Sequence, residues 1–327
     1  MRRRDFISLL GTTAAAWPLA ARAQQSTMPA IGFLDSRSPE AVVSRLRAFR
    51  QGLQEIGYVE GENVSIVYRF AENQLDRLSD LARDLVQRQV AVIVTSGERS
   101  ALAAKAATTM IPIVFGLADD PVKIGLVASL ARPGGNITGI NFLAAELTEK
   151  RLELLRQLLP RSDHIAVLVN PAEAGRTEST IAAAQAAGRT LGLQIQVFKA
   201  DTSHQIETAF ENMERDRPDA LFIGTTPFLS VRNVQLAMLA AFHRLPGTGS
   251  DREYAEAGGL ISYGAKIADA YRQMGVYAGQ VLKGTKLAEL PVVQSSKLEL
   301  IINAATARML GIAIPSSLLA VTDEVIE

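Results

Sequence analysis

The residues able to do chemistry in this chain stand where apolar runs stop. Residues 30–34 end in Asp35 and Ser36, and residues 90–94 end in Thr95-Ser96-Gly97, with Ser100 one turn further on. Residues 111–115 lead to Asp119-Asp120-Pro121, 165–169 to Asn170, and 220–223 to Gly224-Thr225-Thr226. The segment 245–250 closes on Asp251. Carboxylates, a carboxamide and hydroxyls recur, with little else. Such groups at strand ends, next to helix starts with free N–H groups, suit hydrogen bonding to a small polar solute, including an anionic one such as a carboxylate.

Bond-breaking chemistry has no comparable support. The chain contains no G-x-S-x-G, H-E-x-x-H, P-loop or G-x-G-x-x-G pattern. It has no cysteine, which removes disulfides, thiolate catalysis and cysteine metal sites. His164, His204 and His243 are scattered and suit solvated or capping roles. Asp119-Asp120 resembles a paired acid, but Asp-Asp-Pro before an apolar segment also caps a helix. One carboxylate is expected to cap and the other to reach a ligand. No catalytic residue, cofactor or metal is expected.

These groups need a scaffold that brings strand ends together. The runs at 90–94 and 111–115 have the length of strands buried on both faces, and an Ala-rich helix separates them. Strand, helix, strand implies a parallel pair with a crossover, and ligands of such sheets bind beyond the carboxyl ends. The order strand, helix, strand, helix, strand, helix, short segment occurs twice. IGFLDS matches IAVLVNP, EIGYVEGENVSI matches TLGLQIQV, and VAVIVTSG matches DALFIGTT in pattern. The expected fold is therefore α/β, two doubly wound Rossmann-like lobes. The helix over 266–283 is placed on the first lobe, so three crossings form a hinge. The lobes are expected at 29–140 plus 263–290 and at 141–262 plus 291–327. Asn141 and Tyr263 then fall at crossings, where one residue can touch both lobes and a ligand.

The first 23 residues stand apart. Arg3-Arg4-Asp5-Phe6-Ile7, an Ala-rich apolar segment to Ala20, and Ala21-Arg22-Ala23 follow the order of an export signal cleaved near Ala23. Setting aside the four arginines and one aspartate of this leader leaves 30 basic against 33 acidic residues, from 34 of each. No basic patch is present, which argues against nucleic acid. The expected product is a soluble periplasmic monomer.

With these features in place, the chain resembles the ABC-transporter substrate-binding proteins of the type I periplasmic-binding-protein fold, in the branch with tryptophan- and tyrosine-binding members. The resemblance rests on IGFL at Ile31 and on segments 52–69, 103–115, 120–140, 252–264 and 315–327. It implies a receptor that closes on a small-molecule ligand and delivers it to an ABC permease in the inner membrane. Contacts implied by it fall on Ser96-Gly97, Asp119 or Asp120, Asn141, Asn170 and Thr225-Thr226. This chain departs from the family at Pro246-Gly247-Thr248-Gly249-Ser250-Asp251, where an apolar, aromatic-containing segment is usual. The expected ligand is a small organic solute of amino acid or aromatic acid type. The alternative reading is an exported sensor that presents its bound form to a membrane receptor.

Overall fold

Runs of five or six apolar residues with no polar alternation are stable as strands only where both faces are covered. The computed structural model describes residues 28–142 and 147–327. It provides that cover twice; the export-signal reading lies outside the described residues. In chain order, β1 (Ala30–Asp35), α1 (Val43–Glu55), β2 (Ser65–Phe70), α2 (Leu78–Gln87), β3 (Val92–Ser96), α3 (Glu98–Ala107), β4 (Ile113–Leu117) and β5 (Ile137–Asn141) build the first lobe. The second contains α4 (Leu147–Leu158), β6 (His164–Val169), α5 (Ala174–Leu191), β7 (Gln194–Lys199), α6 (Ser203–Asp216) and β8 (Ala220–Ile223). It continues with α7 (Pro227–Ser230), α8 (Asn233–Phe242), β9 (Gly247–Gly249), α9 (Arg252–Glu256) and β10 (Ile261–Ala265). The tail supplies α10 (Ile267–Leu282), β11 (Val293–Gln294), β12 (Leu298–Asn303), α11 (Ala304–Leu310), α12 (Ser316–Leu319) and β13 (Glu324–Ile326).

The first sheet has the order β11-β5-β4-β3-β1-β2 and is parallel throughout. The second has the order β13-β12-β10-β9-β8-β6-β7 and is parallel except for the β10–β12 pair. Without the tail strands, each lobe repeats one order: second strand, first, third, fourth, fifth. This is a doubly wound order, and its switch point lies beside the first strand. The segments matched by pattern, β1 with β6 and β3 with β8, hold equivalent places. Each sheet is covered on both sides by its own apolar clusters, with Phe33, Phe49 and Met274 in one and Phe210, Phe222 and Leu236 among the others.

The tail crosses where hydrogen bonding dictates. β10 pairs with β12 down to Ala265 opposite Leu298, so residues 263–265 belong to the second sheet and not to the first lobe. The strand continues through Gly264 because a Cβ there would meet the Ser250 carbonyl oxygen at 2.0 Å. Val293 pairs with Ile140 and Gln294 with Asn141, so residues 291–294 close the edge of the first sheet and not the second. The expected boundaries at 263 and 290 therefore move to 266 and 295.

Helix α10 joins the first lobe by backbone-close packing on α1. A Cβ on Gly52 would lie 1.8 Å from the Arg272 carbonyl oxygen, and one on Gly275 would lie 2.1 Å from that of Phe49. Two glycines let the axes approach where any side chain would hold them apart. This contact sets the height of Tyr271 and Met274 against the carboxyl ends of β3 and β4.

Candidate functional site

The carboxyl ends of the strands of both lobes face one cleft. Strand β1 ends in Asp35, fully buried, and the chain folds back so that Arg37 reaches it. The Arg37 backbone N–H and Nε both donate to Asp35 Oδ1 at 2.9 Å, and Nη2 donates to Oδ2 at 2.6 Å. The same Nη2 lies 2.9 Å from Ser96 Oγ at the end of β3 and 2.6 Å from the Tyr271 hydroxyl of α10. The Ser96 and Tyr271 hydroxyls are themselves hydrogen-bonded. Burial alone would lower the Arg37 pKa, but Asp35 and Tyr271 raise it well above the ordinary arginine value. One buried cation thus ties β1, β3 and α10 together.

Among the described residues, three side-chain contacts join the lobes across the cleft, while Lys297 donates to Asp269 at 2.8 Å beside the hinge. Arg45 of α1 faces Asp251 of the second lobe at 3.5 Å, both nearly buried. Asp119, beyond β4, pairs with Arg176 in the first turn of α5. Arg99 donates to the Ala172 carbonyl at 3.2 Å. Beside the Asp119–Arg176 pair stand Glu98, at the start of α3, and Glu173, just before α5. On the second lobe, Arg151 of α4 is 1 % exposed and bridges strand ends. Its Nη2 donates to the Ile223 and Thr248 carbonyls at 2.6 and 2.9 Å, and its guanidinium lies 4.0 Å from the centre of the Phe222 ring. Desolvation lowers its pKa to about 9, against Asp251 and Tyr254.

Between these groups lies a cavity of about 60 Å³, lined among others by Arg37, Arg45, Glu98, Glu173, Phe142 and Tyr271. A smaller annex of about 30 Å³ continues past Phe142 and Thr225 to Arg151 and Tyr263. An outer groove of about 410 Å³ shares Asp119 and extends over Asp120, Asn141, Gly175 and Gln294. The cleft is a charged space with aromatic surface on one wall.

The expected residues separate on this map. Ser96, Gly97, Asp119, Thr225, Thr226 and Asp251 line the cavity, and Tyr263 lines the annex. Asn141 lies at the outer groove, where it donates to the Leu117 carbonyl at 3.3 Å and to that of Asp119. The Asp119-Asp120 pair divides: Asp120 Oδ1 accepts the Val122 and Lys123 N–H groups, and Asp119 faces the cleft. Asp35, Ser36, Ser100 and Asn170 are buried but do not line the cavity. Asp35 is taken by Arg37. The Ser36 carbonyl accepts from Asn73 N–H at 2.7 Å, and Asn170 Oδ1 accepts from Ala172 N–H at 3.0 Å. Ser100 is 1 % exposed and lies one turn beyond the strand end.

The cavity also takes residues that sequence reasoning passed over: Arg37, Arg45, Glu98, Phe142, Glu173, Arg176 and Tyr271. Several stand one to three positions past a strand end, the one signal that could have found them. Glu173 is 8 % exposed, and burial is the largest cause lifting its pKa from 4.5 to about 7. Arg176 opposes that shift, Asp119 and Glu98 add to it, and Arg99 opposes it. An acid with a raised folded-state pKa favours the fold when protonated. Its contribution is complete below about pH 4.5 and is lost as pH rises through about 7. Glu173→Gln, which keeps the neutral shape, is expected to exceed the parent in stability by about 3 kcal/mol at pH 8. The two should coincide near pH 4.5 in thermal melts, and a constant difference across that range would refute the assignment.

Comparison with known proteins follows from this geometry. A family model described as ABC transporter substrate binding protein matches residues 36–326. A tyrosine-binding protein from Clostridioides difficile is 26 % identical over 264 residues, 81 % of this chain and 75 % of that protein. A solved Streptococcus pneumonia ABC domain in complex with L-Trp superimposes with a TM-score of 0.84 at 25 % identity, covering 92 % of this chain and all of the other. A ligand-free, open substrate binding protein with adhesive properties from Clostridium difficile gives 0.67 at 24 % identity, covering 91 % and 99 %.

Proposed function

The chain belongs to the ABC transporter substrate binding protein family, and from that premise we propose that it is an exported receptor that closes on a small organic solute of amino acid or aromatic acid type. It works in the periplasm and passes its cargo to a membrane permease; it catalyses no reaction. The observation that carries the reading is the cavity between the lobes, lined by charged groups from both. Arg37 and Arg45 enter it from one lobe, Glu173 and Asp251 from the other. A solute that satisfies such groups on both sides favours the closed form over the open one, which is how binding becomes a signal to a transporter. The relatives named for tyrosine and bound to L-Trp support an amino acid. The cavity's cations and carboxylates suit a molecule with both charges.

The test is a thermal-shift screen of the chain from Gln24 onward against amino acids, aromatic acids, nucleosides and sugars. A ligand of the native state raises the melting temperature by mass action, by about 2.7 kcal/mol of stabilisation at a hundred times Kd. The expected result is a shift with an amino acid or aromatic acid that is recovered unchanged from the mixture. Turnover of the compound, or silence from both classes, would refute the reading.

A further inference from the structure

The cavity holds two carboxylates with no hydrogen-bond or ion-pair partner of their own. Asp119 is paired with Arg176, and Asp251 with Arg45. Among the described residues, neither the Glu98 nor the Glu173 carboxylate accepts a hydrogen bond or lies in an ion pair. Both nevertheless line the same cavity, Glu98 from the first lobe and Glu173 from the second. Glu173 is more than nine-tenths buried. The nearby cations are committed elsewhere: Arg176 to Asp119, and Arg99 to the Ala172 carbonyl. Three carboxylates therefore share one paired arginine at the meeting of the lobes. Leaving a buried carboxylate unanswered is costly, so its retention on the wall of a cavity calls for a counterion from outside the chain.

We propose that Glu98 and Glu173 together form a subsite for a protonated amine of the ligand, so that the cleft selects ammonium-bearing solutes over carboxylates of the same shape. This rests on the receptor reading above and narrows it. An organic cation fits better than a metal ion. Among the described residues no three acidic or histidine side chains are grouped closely enough to hold a metal. An ammonium has three donors spread over a tetrahedron and can address carboxylates held apart on two lobes. Each lobe alone offers it a single carboxylate, and closure supplies the second. Amine binding and lobe closure are thereby the same event. Because burial and the neighbouring acids favour protonated Glu173, an arriving cation must displace that proton.

The experiment uses matched sets in the same thermal-shift format, followed by calorimetry: L-tyrosine, 3-(4-hydroxyphenyl)propionate and tyramine; L-tryptophan, indole-3-propionate and tryptamine; L-leucine and 4-methylpentanoate; with uncharged sugars and nucleosides alongside. At least one ammonium-bearing member is expected to bind, with its deaminated analogue weaker by about 10- to 100-fold, the range of one charge-assisted hydrogen-bond set. Glu98→Gln and Glu173→Gln should each weaken the amine by a similar factor. Neither should weaken the deaminated analogue. Unliganded melting curves of both variants establish that they are folded. Affinity of the parent should rise from pH 5.5 to 8. Its binding enthalpy should differ between phosphate and Tris by the signature of proton release, and Glu173→Gln should abolish both effects. Equal binding of a deaminated acid, or unchanged affinity in both variants, overturns the subsite. Binding of an aromatic acid with no amine binding overturns it too, while leaving the receptor reading intact; binding of a sugar or nucleoside alone counts against both. Silence across every compound counts against both.

Discussion

Asp35→Asn is expected to destabilise the first lobe by about 3–5 kcal/mol, the loss found when one partner of a buried ion pair is removed. Asp35 is fully buried and Arg37 is 3 % exposed, so neither can turn to water without opening the strand end. The asparagine keeps one acceptor but not the charge, and Arg37 remains a cation. Ser96 and Tyr271, both bonded to Arg37 Nη2, lose their anchor as well. Urea unfolding followed by far-ultraviolet circular dichroism measures the loss directly. The double change Asp35→Asn with Arg37→Met separates two origins of the effect. If the damage comes from the stranded charge, the double variant recovers much of it, because an apolar replacement of a whole buried pair is often neutral. A loss below about 1 kcal/mol in the single variant, the scale of a surface pair, would show that Asp35 does not neutralise Arg37.

Arg37 also shows where reading from sequence stops. The strands β1, β3, β4 and β6 were legible because five or six apolar residues in a row, bounded by polar ones, have one stable use in a parallel sheet. The repeat of two lobes followed from that rhythm, and the strand ends located the cleft. The cations inside it were not legible. Arg37, Arg45, Arg151 and Arg176 are exposed by 3, 6, 1 and 5 %, although an arginine read from local sequence is a surface residue. Their partners arrive from distant chain segments: Tyr271 for Arg37, Asp251 for Arg45, the Ile223 and Thr248 carbonyls for Arg151, Asp119 for Arg176. Arg151 stood in register with Leu147, Leu154 and Leu158, so the helical period did place it inward; only its chemistry was out of keeping.

Strand β9 illustrates a second limit. Gly247-Thr248-Gly249 carries no strand propensity. It is a strand because Leu221 pairs with Gly247 on one side and Ile261 with Thr248 on the other. Its glycines are required by Tyr254, whose ring would lie 2.7 Å from a Cβ on Gly249. The segment that departs from the family pattern is therefore a packed central strand followed by Asp251, which gives its carboxylate to the interlobe pair with Arg45. A two-residue edge such as β11 is weaker still as a signal. It exists because Ile140 and Asn141 had an open side.

Arg176→Met is expected to move the lobes apart. The pair it breaks spans the cleft, with Asp119 on the first lobe and Arg176 on the second. The variant leaves Glu98, Asp119 and Glu173 facing one another with no arginine paired among them. Opening rehydrates all three, so the penalty falls on the closed form alone. Setting it at about 3 kcal/mol, toward the low end for a partly buried pair, weakens ligand binding by roughly 100-fold through population shift. Small-angle scattering of the unliganded protein should show a larger radius of gyration than the parent, and a fluorophore pair across the lobes a longer distance. Protonating Glu173 removes one of the three charges, so lowering the pH from 8 should draw the lobes of the variant partly together again. Adding Asp119→Asn should do the same at any pH, since it takes away the charge that Arg176 had answered. If Arg176→Met leaves the interlobe distance and the affinity as they were, the pair is an incidental contact. Closure must then be held by Arg45 with Asp251 and by Arg99 with the Ala172 carbonyl.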